Sequence, residues 1–98
     1  MAGRLVFSDG KTELRSVSLE EGQSVVIGRG PNADVRFEDS MPLSRTHCRV
    51  WDDGEGTWIE GLNNRGGIIV SGKGIRGAHR LQPGDVVTLL GDLQFQLS

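Results

Sequence analysis

The amino-acid sequence predicts an all-β domain of short strands, a sandwich or a barrel. Three observations point there. Apolar residues alternate with period two in most of the segments that carry them. The chain has 15 glycines, spread between apolar runs rather than gathered in one block, which is a turn-rich pattern. No segment carries the wider apolar period of an amphipathic helix.

The elements follow in order. Arg4 to Phe7 reads as a strand, and Ser8-Asp9-Gly10-Lys11 carries the Asp-Gly pair of a hairpin turn. Glu13 to Leu19 is the return strand, with Leu14 out of phase with Val17 and Leu19. Glu20-Glu21-Gly22 turns the chain into a strand from Ser24 to Ile27, which ends at Gly28-Arg29. Asp34 to Phe37 alternates cleanly. The loop from Glu38 to Leu43 holds Met41-Pro42, and a proline has no N–H to give to an inner strand. Thr46 to Trp51 reads as a strand, with Cys48 and Val50 on one side and Arg49 on the other. Asp52 to Gly56 is a polar turn, and Thr57 to Glu60 pairs back. Ile68 to Val70 is a short apolar strand, followed by a turn from Ser71 to Gly74. Val86 to Leu90 and Leu93 to Leu97 form a last hairpin about Gly91-Asp92.

Composition narrows the function. The 98 residues suffice for one domain, residues 1–98, with one core. The net charge of −2 supplies no global basic field for nucleic acid. The stretch between Gly61 and Gly84 has no acidic residue but carries Arg65, Lys73, Arg76 and Arg80, a local basic bias. Cys48 is the only cysteine, so no disulfide forms within the chain and no cysteine-based zinc site is available. No apolar run reaches membrane-spanning length. The chain is expected to be cytoplasmic, whole or as a piece of something larger.

Two short segments carry the chemistry. Gly28-Arg29-Gly30 ends one apolar run, and Ser44-Arg45-Thr46-His47 begins another. Side by side, these loops would offer two guanidiniums, a serine hydroxyl and backbone N–H groups, with no carboxylate among them. A dianionic phosphate suits that set, because arginine presents a planar fork of donors that stays charged. Other chemistries fit poorly. A metal at His47 would have only His79 to join it, without further ligands at the usual spacing. Ser44 and His47 lack the strand-to-helix elbow of a hydrolase nucleophile. Gly67 to Gly74 resembles a nucleotide-binding loop but lacks the closing Ser or Thr, and its interior Ile68-Ile69-Val70 is strand-like.

The order of these motifs resembles the forkhead-associated family. It rests on Gly28-Arg29, Ser44-Arg45-Thr46-His47, the turn Asn63-Asn64-Arg65-Gly66-Gly67, and Leu81-Gln82-Pro83-Gly84-Asp85-Val86, and runs from about Val25 to Leu97. The resemblance implies a β-sandwich of about eleven strands with its binding loops at one end. It implies a module that binds phosphothreonine in partner proteins and is not an enzyme, with no cofactor. Carried over residue by residue, Arg29 contacts the phosphopeptide, Ser44 bonds the phosphate and Arg45 adds charge beside it. His47 braces the loops from beneath, with Gly28, Gly67, Gly84 and Asp85 in structural support. The turn departs from the family. Gly66 stands where an asparagine usually bonds the peptide main chain, Arg65 replaces a residue that often helps hold phosphate, and Gly61 replaces a usual aspartate.

The expectation is therefore a monomeric module that docks a phosphothreonine-containing segment through Arg29, Ser44, Arg45, Arg65 and Gly66, without nucleic acid or membrane. The alternative is a scaffold of the same fold that binds protein without phosphate, and Gly66 is the feature that favours it.

Overall fold

A computed structural model describes residues 3–38, 43–62 and 68–98. Their strands are β1 (Gly3–Ser8), β2 (Glu13–Leu19), β3 (Ser24–Gly28), β4 (Val35–Arg36), β5 (Cys48–Asp52), β6 (Thr57–Gly61), β7 (Ile68–Val70), β8 (Lys73–Ile75), β9 (His79–Leu81), β10 (Val86–Leu90) and β11 (Leu93–Leu97). None of the described residues is helical. A six-stranded sheet runs β2-β1-β11-β10-β7-β8, and a five-stranded sheet runs β4-β3-β5-β6-β9. The fold is all-β, as the period-two pattern predicts.

The alternation reads directly as the two faces of each sheet. In β1, Leu5 and Phe7 point inward; in β5, Cys48 and Val50 do, and Arg49 points out. The inward residues form one core between the sheets, with Phe7, Phe95, Leu5, Leu19, Ile27 and Ile59 fully buried. Phe7 holds its centre. Its ring packs on Phe95 of the neighbouring strand at 5.2 Å and edge-on to Phe37, next to β4 in the opposite sheet, at 5.4 Å. On the outer face of the five-stranded sheet, Trp51 and Trp58 are cross-strand partners and stack at 6.4 Å, with the Arg49 guanidinium 4.2 Å from the Trp51 ring. These half-buried tryptophans stiffen the sheet face.

Several strands differ from the sequence reading. β5 begins at Cys48 rather than Thr46, because Thr46 and His47 still belong to the turn entering it. Lys73-Gly74, read as part of a turn, opens β8, and His79, which the sequence reading places in no strand, is half-buried in β9. Both are three-residue strands at the sheet edges, held by backbone pairing to Val70 and to Ile59. An edge strand needs little apolar alternation, so its sequence leaves little signal. The loop of Met41-Pro42 and the turn of Arg65, Gly66 and Gly67 lie outside the described residues.

Two β-bulges interrupt the six-stranded sheet. Phe7 pairs with Arg15 and Ser8 with Glu13, so Leu14 is an extra residue in β2. Thr88 pairs with Gln94 and Leu90 with Leu93, so Leu89 is an extra residue in β10. Both lie at the sheet end that carries the two loops singled out in the sequence.

The central place of Phe7 predicts a large effect of its removal. Phe7→Ala should lower the unfolding free energy by about 3–5 kcal/mol, the usual cost of an emptied aromatic site. A loss below about 1 kcal/mol in urea unfolding would mean that the core is not organised around this ring.

Candidate functional site

The loops after β3 and before β5 are zipped together by backbone. His47 N–H donates to the Ile27 carbonyl at 2.8 Å, Arg29 N–H to Ser44 at 3.2 Å and Gly30 N–H to Arg45 at 3.0 Å. They extend the β3–β5 pairing past both strand ends, so Arg29, Ser44 and Arg45 share one rim. The glycines serve this contact. A Cβ on Gly28 would overlap the Arg45 carbonyl, and one on Gly30 would come within 2.7 Å of the Arg45 Cβ. What the missing side chains admit here is the facing loop.

Arg29 is half-buried, and its Nε–H donates to the Leu43 carbonyl at 2.6 Å. Among the described residues its Nη groups have no hydrogen-bond partner. Two further arginines, which the sequence reading missed, support it. Arg36 Nε–H donates to the Arg29 carbonyl at 3.2 Å, and Arg15 Nη1–H to the Arg36 carbonyl at 3.0 Å. Arg15 also lies 5.7 Å from the centre of the Phe37 ring. A long side chain from a distant strand bonding a loop carbonyl has no local sequence signature. The loop's own carboxylate is turned away, because Asp34 Oδ2 accepts from Val26 N–H at 2.8 Å. Ser44 is half-buried and Arg45 exposed. Arg65 and Gly66 lie outside the described residues, as does Gly67.

His47 sits beneath this rim and is 4% exposed. Its Nδ1 accepts from Ser44 N–H at 3.2 Å, and its Nε2–H donates to the Leu89 carbonyl at 3.1 Å. A donor on one side and an acceptor on the other require the neutral ring with its proton on Nε2. The bulge in β10 explains the acceptor: Leu89 has no cross-strand partner in the β11 ladder. Burial pushes the imidazole pKa down from its ordinary value, and the Leu89 bond opposes that only in part.

Gly84 and Asp85 stand elsewhere. They form the turn before β10, at the opposite end of that strand from Leu89. Gly84 adopts φ 91°, Asp85 Oδ2 accepts from Gln82 N–H at 2.8 Å, and Asp85 Oδ1 accepts from the Ser71 hydroxyl at 3.0 Å. Their direct work is to tie this turn to the β7–β8 turn, not to support the binding loops.

The FHA domain family model matches residues 25–90. Among solved structures, the FHA domain of the CT664 protein from Chlamydia trachomatis matches with a TM-score of 0.86 at 27% identity, over 99% of this chain and 96% of that one. An FHA domain studied for phosphothreonine-dependent interactions matches with a TM-score of 0.81 at 31% identity, over 99% of this chain and 95% of that one. The FhaA FHA domain, solved in complex with the intracellular domain of Rv3910, matches with a TM-score of 0.77 at 30% identity, over 98% of this chain and 99% of that one. No curated protein sequence matches the chain.

Two outcomes follow from the geometry. Gly28→Ala must push the loops apart and should cost about 1–3 kcal/mol, the usual range for overpacking; an unchanged melting temperature would deny the close contact. His47 predicts a pH dependence. Its pKa is lower in the folded chain than in the unfolded one, so above about pH 6.5 both states are neutral and its contribution is complete. As pH falls below that, the unfolded state takes up the proton first, and stability is lost progressively down through the folded pKa. Urea unfolding at several pH values should show this loss in the wild type and a flatter profile in His47→Gln; parallel profiles would contradict the buried neutral ring.

Proposed function

The chain belongs to the FHA domain family, and on that premise we propose that it docks a phosphothreonine-bearing segment of a partner protein on the rim formed by Arg29, Ser44 and Arg45. The family is one of protein-interaction modules, and the proposal assigns the chain no catalytic step and no cofactor. The observation that carries it is the zipped pair of loops, which puts two arginines and a serine on one rim above a buried brace. Arg29 presents its Nη fork to the phosphate, while its Nε holds Leu43. Ser44 supplies its hydroxyl and Arg45 adds charge from the exposed side; Arg65 and Gly66 are proposed as further peptide contacts from the sequence alone. His47 acts on the site through Ser44 and does not touch the ligand.

Two solved relatives support the class of ligand: one belongs to phosphothreonine-dependent interactions, the other is bound to a partner's intracellular domain. The module is proposed to act as a monomer in the cytoplasm. Cys48 is buried, and burial pushes its thiol pKa up to about 12, which makes it unreactive. The competing reading, a scaffold that binds without phosphate, is favoured by Gly66, which cannot bond a peptide main chain through a side chain.

Charge-assisted hydrogen bonds are worth about 1.5–3 kcal/mol each. Arg29→Ala and Ser44→Ala should therefore each weaken a selected phosphothreonine peptide by roughly tenfold or more, measured by titration on protein whose fold is confirmed by circular dichroism. The unphosphorylated peptide should bind far more weakly to the wild type. Equal affinity for both peptides would favour the phosphate-independent scaffold.

A further inference from the structure

Among the described residues, every polar group of Arg29 except its Nη fork is engaged within the domain. Its N–H donates to the Ser44 carbonyl at 3.2 Å, and its Nε–H to the Leu43 carbonyl at 2.6 Å. Its own carbonyl accepts from Arg36 Nε–H at 3.2 Å. The first two bonds go to the loop before β5. The third goes to β4, a strand of two residues, paired to β3 through Ile27 with Val35 and Gly28 with Arg36. A strand this short has few ladder bonds of its own to order it.

Support for β4 comes from the other sheet. β2 ends the six-stranded sheet, and β4 ends the five-stranded one. Arg15 of β2 bridges these two outer strands. Its Nη1–H donates to the Arg36 carbonyl at 3.0 Å, and its guanidinium carbon lies 5.7 Å from the centre of the Phe37 ring, within cation–π reach. Phe37 N–H in turn donates to the Gly28 carbonyl at 2.9 Å, next to Arg29. Register explains why Arg15 points this way. It pairs with Phe7, and Val17 pairs with Leu5, so Arg15 shares the inward phase of the strand with Val17 and Leu19. An apolar residue would be ordinary at such a position; an arginine there reaches across to the facing sheet. Arg15 also precedes residues 25–90, the segment that the family model matches.

We propose that Arg15 is a positioning residue for phosphate recognition: acting through Arg36, it fixes the Arg29 carbonyl and so aims the Arg29 fork. The proposal rests on the phosphothreonine reading of Arg29 and Ser44. Arg15 does not touch the ligand. Its effect is on the freedom that Arg29 has left to lose when the phosphate binds.

The test combines peptide titration and NMR on wild type, Arg15→Ala, Arg29→Ala and the double variant. A selected phosphothreonine peptide should bind Arg15→Ala about two- to tenfold more weakly than wild type, the range for one long side chain that must be ordered on binding. In the Arg29→Ala background the same substitution should change affinity by less than about twofold, because the group it aims is gone. Without peptide, the Arg29 Nε–H should exchange with water faster in Arg15→Ala than in wild type, with the unfolding transition retained. Arg15 is exposed, so the alanine variant should fold, and Arg15→Gln takes its place if it does not. Wild-type affinity in Arg15→Ala, an equal loss in both backgrounds, or unchanged Nε–H exchange overturns the positioning role alone if phosphate dependence persists. A wild type that binds phosphorylated and unphosphorylated peptide alike overturns the parent reading and this one together.

Discussion

The loop end of this domain depends on one imidazole held between two sheets. His47 accepts from Ser44 N–H through Nδ1 and donates to the Leu89 carbonyl through Nε2, so a loop of one sheet is tied to a strand of the other. The arrangement is possible because a bulge removes Leu89 from the β10–β11 register and leaves its carbonyl to be answered. A buried carbonyl without a donor would be costly, and so would a buried imidazole without partners. Each satisfies the other, and the position of Ser44 follows from both.

Arginine does two kinds of work around that brace. Arg15, Arg36 and Arg29 each donate to a backbone carbonyl of the next segment, so a strand of one sheet is linked through β4 to Leu43. These are charge-assisted bonds, stronger than those between neutral groups. Because Arg29 is fixed at its Nε, its fork arrives oriented, and less side-chain freedom is lost when a ligand binds. The close packing of Gly28 and Gly30 on Arg45 acts in the same direction on the backbone. Rigidity at this rim comes from loop-to-loop contact rather than from strand content.

The two ends of the sandwich are built on different principles. At the far end, Asp85 closes its own turn on Gln82 N–H and ties it to Ser71 in the β7–β8 turn, with a positive φ at Gly84. At the loop end, connections are longer and bonds reach between distant segments. Both bulges are there, one freeing a carbonyl for His47 and the other turning Leu14 outward. Bulges bend a strand and redirect what it carries, which a regular ladder cannot do.

The sequence by itself determined the all-β class, nine of the strands, and the two strand-to-loop junctions where Arg29 and Ser44 stand. Those features are local. Period-two alternation records which face a residue occupies, and glycine-rich breaks record where the chain turns. Even Leu14 announced its bulge by falling out of phase. Only the tertiary structure decided the rest: the edge strands β8 and β9, the start of β5 at Cys48, the Arg15–Arg36–Arg29 chain and the acceptor of His47. It also moved Gly84 and Asp85 away from the binding end and gave Gly28 its reason. Each of these depends on which atom of a distant segment arrives opposite a given residue. That is set by register and by the packing of the two sheets on Phe7, and neighbouring residues carry no trace of it.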